Sequence, residues 1–162
     1  MPCLWGQHNG SQIFCSVKII PAVAAAPISR TPQDSSVPAP TVQALIDTGA
    51  TLTGITSRLA DLLELQPVGK VPIHGVGGVQ HHNSHLFVVA FPFSPPPGSL
   101  LASGLPPPSP GQAQTEIHVL NKVIQGCEFH VGSASFDVIL GMDVLSAGTL
   151  VVQGNGQWSF SM

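Results

Sequence analysis

The sequence predicts an all-β (β-rich), barrel-like domain, and three observations carry that expectation. Short alternating or β-branched apolar runs recur along the chain, with only two short stretches of helical spacing. Glycine and proline, 17 and 16 residues, punctuate those runs. The length, 162 residues, suits one domain with a sizeable core and is short for two.

The elements follow in order. Residues 11–20, SQIFCSVKII, alternate and are rich in β-branched side chains, which predicts a strand. Residues 41–46, TVQALI, predict a second strand, and 51–56, TLTGIT, a third short extended run. Residues 56–65 have helical spacing: Leu59, Leu62, Leu63 and Leu65 fall on one face, Thr56 or Ser57 can cap the start, and Pro67 stops propagation. Residues 70–91 read as two strands around Gly75, Gly77 and Gly78, a hairpin with a glycine-rich tip. Further strands are expected at 115–120, 127–132 and 136–141. A short helix at 142–148 would close at Gly148, and 149–162 would form a terminal hairpin turning at Gly154-Asn155-Gly156.

Two proline-rich stretches interrupt this pattern, at about 21–40 and 91–114, with five and eight prolines. The segments beside them are too short to bury cores of their own. Both stretches therefore read as insertions in a single domain spanning 1–162.

Composition excludes several functions. Charged residues make up 8% of the chain, against about a quarter in ordinary domains. The net charge is −3, and no basic patch is present to hold nucleic acid or a membrane surface. No apolar run approaches the ~20 residues of a membrane span. The first ten residues carry neither a basic start nor an apolar h-region, so no signal peptide is expected and the expected location is cytoplasmic. Cys3, Cys15 and Cys127 are odd in number and lack paired spacing, which fits reduced thiols and not a zinc site.

The chemistry concentrates in ALIDTGAT, residues 44–51. A buried strand runs directly into Asp47, and Thr48 and Gly49 follow at once. Such a strand end places a carboxylate where the backbone turns out of the core. Gly49 lets another molecule approach the backbone, and Thr48 supplies a small hydroxyl. An Asx turn, with Asp47 bonding the next amides, explains the same residues without any function.

Two further segments join it. In IHGVGG, residues 73–78, Ile73, His74, Gly75, Val76, Gly77 and Gly78 form a glycine-rich centre. No helix pattern follows, so a phosphate-binding loop does not fit. VILGMDVL, residues 138–145, places Ile139, Leu140 and Gly141 before a short helix. With these three motifs in this order, the chain resembles the retropepsin-like aspartic proteases, the single-lobed retroviral-type family, and its cellular and bacterial members more than the viral ones. The resemblance spans roughly residues 11–162 apart from the two insertions.

That resemblance implies a closed β-barrel, an active-site loop at Asp47-Thr48-Gly49 and a flap over 73–78. It implies substrate contacts at Gly49, Ala50, Val76, Gly77, Gly78 and Val79. Ile139, Leu140 and Gly141 would be structural, behind the active-site loop. Thr48 would cross-link two such loops, and the terminal hairpin would be the dimer element. Aspartic proteolysis needs two close carboxylates that share a proton and hold a water. This chain has one Asp-Thr-Gly. Asp137 and Asp143 lack that context, so the second acid would come from a second copy. The expected activity is peptide-bond hydrolysis by a homodimer acting on a peptide or protein, with no metal and no cofactor. A catalytically silent, dimeric interaction domain of the same fold is the alternative.

His81, His82 and His85 suggest a metal site at first sight. By strand parity His82 and His85 lie on opposite faces while His81 and His85 share one, and no carboxylate or cysteine is adjacent in sequence. Solvated histidines on a strand beside the flap are the expectation.

Overall fold

The computed structural model describes residues 3–22, 39–75, 77–93, 116–130 and 135–162. Val76 and most of both proline-rich stretches lie outside these residues. The chain is β-rich: the described residues form eleven strands and two short helices.

A strand absent from the sequence reading comes first, β1 (Cys3–Gln7). Next are β2 (Ile13–Pro21), β3 (Thr41–Ile46), β4 (Gly54–Thr56) and α1 (Ser57–Leu62). The glycine-centred hairpin is β5 (Pro67–Gly75) and β6 (Gly78–Phe93), followed by β7 (Glu116–Val119) and β8 (Ile124–Phe129). The chain ends with β9 (Val138–Leu140), α2 (Met142–Leu145), β10 (Thr149–Val152) and β11 (Gln157–Ser161).

Six strands pair in a cycle. The order β2-β3-β9-β4-β8-β6 is closed by pairing of β6 back onto β2, through Lys18↔Ala90 to Pro21↔Phe87. Alternation explains the inward faces. Cys15, Val17 and Ile19 of β2 are buried, and Phe87, Val89 and Phe91 of β6 join the same core with Ile55, Val138 and Leu140. A second sheet, β1-β11-β10, seals the core with Leu4, Trp158 and Phe160. The rings of Phe91 and Phe160, 6.0 Å apart, join the two sheets.

Several expectations need correction. The run 51–56 is extended only from Gly54, because the Ala50 and Thr51 carbonyls turn to accept the Met142 and Asp143 amides at the start of α2. The first helix ends at Leu62, and Glu64 takes a left-handed φ of 52°, so the chain turns before Pro67. Leu59 and Leu65 are buried as expected, but Leu62 is 66% exposed. The second helix stops at Leu145 with Ser146 as its C-cap. Gly148 lies beyond that end, where a Cβ would run into the Ser161 carbonyl. The terminal hairpin forms as expected, but β11 is not a free edge. β1 pairs along it from Cys3↔Ser161 to Gln7↔Gln157, leaving β1 and β10 as the outer strands of that sheet.

Candidate active site

Asp47 sits where β3 leaves the core. Ala44 and Ile46 are buried, Asp47 is half-buried, and Thr48 and Gly49 are exposed. The Asp47 amide donates to the Leu140 carbonyl at 3.1 Å, which fixes the acid to the end of β9. Its Oδ1 accepts the Gly49 amide at 2.9 Å, and its carbonyl accepts the Ala50 amide at 3.2 Å. The Asx turn is therefore real. One carboxylate oxygen is oriented by the loop's own backbone. Gly49 does not need a left-handed φ; a Cβ there would come within 3.2 Å of Asp47 Oδ1.

The loop is strapped from below. β3 and β9 run parallel in the register Ala44↔Val138, Leu45↔Ile139 and Ile46↔Leu140. Past Leu140, the Met142 amide donates to the Ala50 carbonyl at 2.8 Å and the Asp143 amide to the Thr51 carbonyl at 3.2 Å. Gly141 is a glycine because the loop crosses it. A Cβ would lie 2.6 Å from the Leu52 carbonyl oxygen and 2.9 Å from the Thr53 amide nitrogen.

Thr53, fully buried, completes the strap. Its hydroxyl donates to Asp143 Oδ1 at 2.7 Å and accepts the Gly141 amide at 3.1 Å. The sequence reading set Asp143 aside as a second catalytic acid without assigning it this role, and gave Thr53 none. The available signal was an acid in the first turn of a helix opened by glycine, where a carboxylate is favoured.

Neither Asp143 nor Asp137 is free. Asp143 is held by Thr53. Asp137 precedes β9, at the opposite end of that strand from Leu140. It accepts from Arg58 at 2.6 and 2.8 Å and from the Thr56 hydroxyl at 3.0 Å. Among the described residues Arg58 pairs with Asp137 and His85 Nε2 contacts Glu128, and neither contact includes Asp47.

The glycine-rich hairpin has the register Ile73↔Gln80, His74↔Val79 and Gly75↔Gly78. Gly78 takes φ of 97°, the left-handed conformation a tight tip requires. A Cβ added at Gly75, Gly77 or Gly78 would meet nothing within 4 Å, so the tip stands in open space. Ile73 is half-buried, His74 is exposed, and Val79 is 54% exposed.

Farther along β6 the histidines diverge from expectation. His81 is exposed and His82 half-buried, but His85 is buried and does have a carboxylate beside it. Its Nε2 lies 3.1 Å from Glu128 Oε2, which also accepts from Asn83 at 3.1 Å. The pairing of β6 with β8, Ser84↔Cys127, brings them together, a contact that strand parity alone could not reveal. Ser57 is the largest influence on that acid, ahead of His85 and Asn83. Together these donors hold Glu128 down at about 2, against its ordinary 4.5. The Ser57 hydroxyl also lies 2.7 Å from His130 Nδ1. Among the described residues no group of three or more His, Cys, Asp or Glu side chains is arranged to hold a metal ion.

No protein-family model matches the chain, and no curated protein matches it. Among solved structures the chain is similar to the crystal structure of a retropepsin-like aspartic protease from Rickettsia conorii. The similarity covers 98% of this chain and 90% of that one at 10% identity, with a TM-score of 0.48.

Proposed function

We propose that this chain is an aspartic endopeptidase that acts as a homodimer. The observation that carries the reading is the placement of Asp47. It is a half-buried acid at the end of a core strand, followed by an exposed Thr-Gly and oriented by a strapped loop. Asp143 is committed to Thr53, and Asp137, at the far end of β9, to Thr56 and Arg58. The second carboxylate is then the partner subunit's Asp47, across a two-fold axis.

Two carboxylates at short range cannot both ionise cheaply, so they share one proton and bind a water between them. One acid takes a proton from the water as its oxygen attacks the scissile carbonyl. The other gives its proton to the carbonyl oxygen, and collapse of the tetrahedral adduct breaks the C–N bond. Thr48 steadies the paired loops, and the exposed Gly49, with the Ala50 side chain beside it, meets the peptide, which binds as an added strand. The hairpin tip, Gly75 to Val79, closes over it and excludes water. The terminal hairpin, through outer strand β10 and the exposed Val151 and Val152, supplies the dimer contact. Among the described residues no helix is long and apolar enough to cross a membrane, and the three cysteines are free. A reducing, cytoplasmic setting is part of the same proposal.

Cleavage of a mixed peptide library from pH 3 to 8, with molar mass measured in the same buffers, tests the reading. Cleavage should rise with the dimer fraction and vanish in Asp47→Asn. Undiminished cleavage by Asp47→Asn would overturn it.

A further inference from the structure

A groove of about 310 Å³ opens between the two sheets, away from Asp47. Trp5 of β1, Phe14 of β2, Phe93 of β6 and Trp158 of β11 line it, and no charged side chain does. Trp5 is 61% exposed, an unusual position for so large an apolar ring. Trp158 is buried, and among the described residues its Nε1–H has no acceptor. An uncharged trough of aromatic rings is the surface that polyproline II segments recognise. Proline rings lie against the aromatic faces, and the extended backbone carries unpaired carbonyls.

We infer that this groove is a docking site for the chain's own second proline triplet, residues 106–108. The chain leaves the described structure from the groove wall itself, at Phe93, and returns at Glu116. Residues 94–114, SPPPGSLLASGLPPPSPGQAQ, contain no charged side chain, matching the uncharged groove. The other proline-rich stretch carries Arg30 and Asp34 and does not match it. The first triplet, 95–97, begins two residues past Phe93, too close to double back onto the wall. The second follows a dozen residues with glycines at 98 and 104, a length of chain that reaches roughly 20 Å. Tethering gives an effective concentration on the order of millimolar, so an affinity of ~100 µM keeps about nine copies in ten docked. This inference does not depend on the protease reading.

The chain has two tryptophans and no tyrosine, and both tryptophans line the groove. Intrinsic fluorescence therefore reports its occupancy directly. The triple variant Pro106→Ser, Pro107→Ser, Pro108→Ser should red-shift the emission and raise acrylamide quenching about twofold, with molar mass unchanged. A synthetic peptide of residues 104–112 should reverse both changes saturably in the variant and have little effect on the wild-type chain. Repeating the titration in Trp158→Phe leaves exposed Trp5 as the sole reporter and should give the same result. Unchanged spectra in the triple variant, or a peptide that produces no saturable change, would overturn the inference. So would wild-type quenching that rises on dilution as the mass halves, because a second copy would then be the occupant.

Discussion

The hydroxyl of Thr53 donates to the Asp143 carboxylate at 2.7 Å while accepting the Gly141 amide at 3.1 Å. One buried side chain thereby ties the strand after the Asp47 loop to the first turn of α2. Thr53→Val keeps the shape and removes both bonds, leaving a carboxylate oxygen and an amide without partners. The expected cost is about 2–4 kcal/mol. Thr53→Ser should retain most of the stability, and urea unfolding of both variants measures the difference.

Gly141→Ala should be among the most damaging single-methyl changes in the chain. The added carbon meets the Leu52 carbonyl and the Thr53 amide, both backbone, so neither can swing away. A loss of at least ~2 kcal/mol is expected, together with reduced cleavage as the Asp47 loop is displaced. Unfolding midpoints and kcat on one peptide check both effects.

Glu128 sets an acid limit on stability. Its folded value is about 2 against an ordinary 4.5, so its contribution is fully present above about 4.5. It fades as pH falls through the window between those values. Glu128→Gln should therefore lower Tm most above pH 5, with the gap to wild type closing toward pH 2. A gap that stays constant across that range would contradict the assignment.

Gly78→Ala should separate the hairpin tip from the core. A side chain at φ of 97° costs about 1–2 kcal/mol locally, yet nothing packs on the tip. Global unfolding should stay close to wild type. Under the proposed reading, in which the hairpin closes on bound peptide, cleavage should weaken mainly through KM. Steady-state kinetics beside a thermal melt decides the matter.

Much of this arrangement was legible in the sequence. β3 matches its expected bounds, 41–46, because a run of apolar and β-branched residues ending at an acid and a glycine permits little else. The hairpin around Gly75 and Gly78 was equally plain. β1 was not, since CLWGQ gains its strand character only from pairing with β11 at the far end of the chain. Leu62 misled because a helix of six residues buries only part of the face its spacing suggests. Asp47 could be singled out from its neighbours in sequence. Thr53 and the His85–Glu128 pair could not, because their partners are set by strand register and by a crossing loop.

The central claim is that catalysis needs two copies of Asp47, and subunit mixing tests it most directly. Wild-type chain is mixed with Asp47→Asn at constant total concentration, allowed to exchange, and assayed on one peptide. A shared dyad predicts that activity follows the square of the wild-type fraction, so an equal mixture retains about a quarter. Activity that falls in simple proportion, to about half, would show that each chain works alone and would contradict the account.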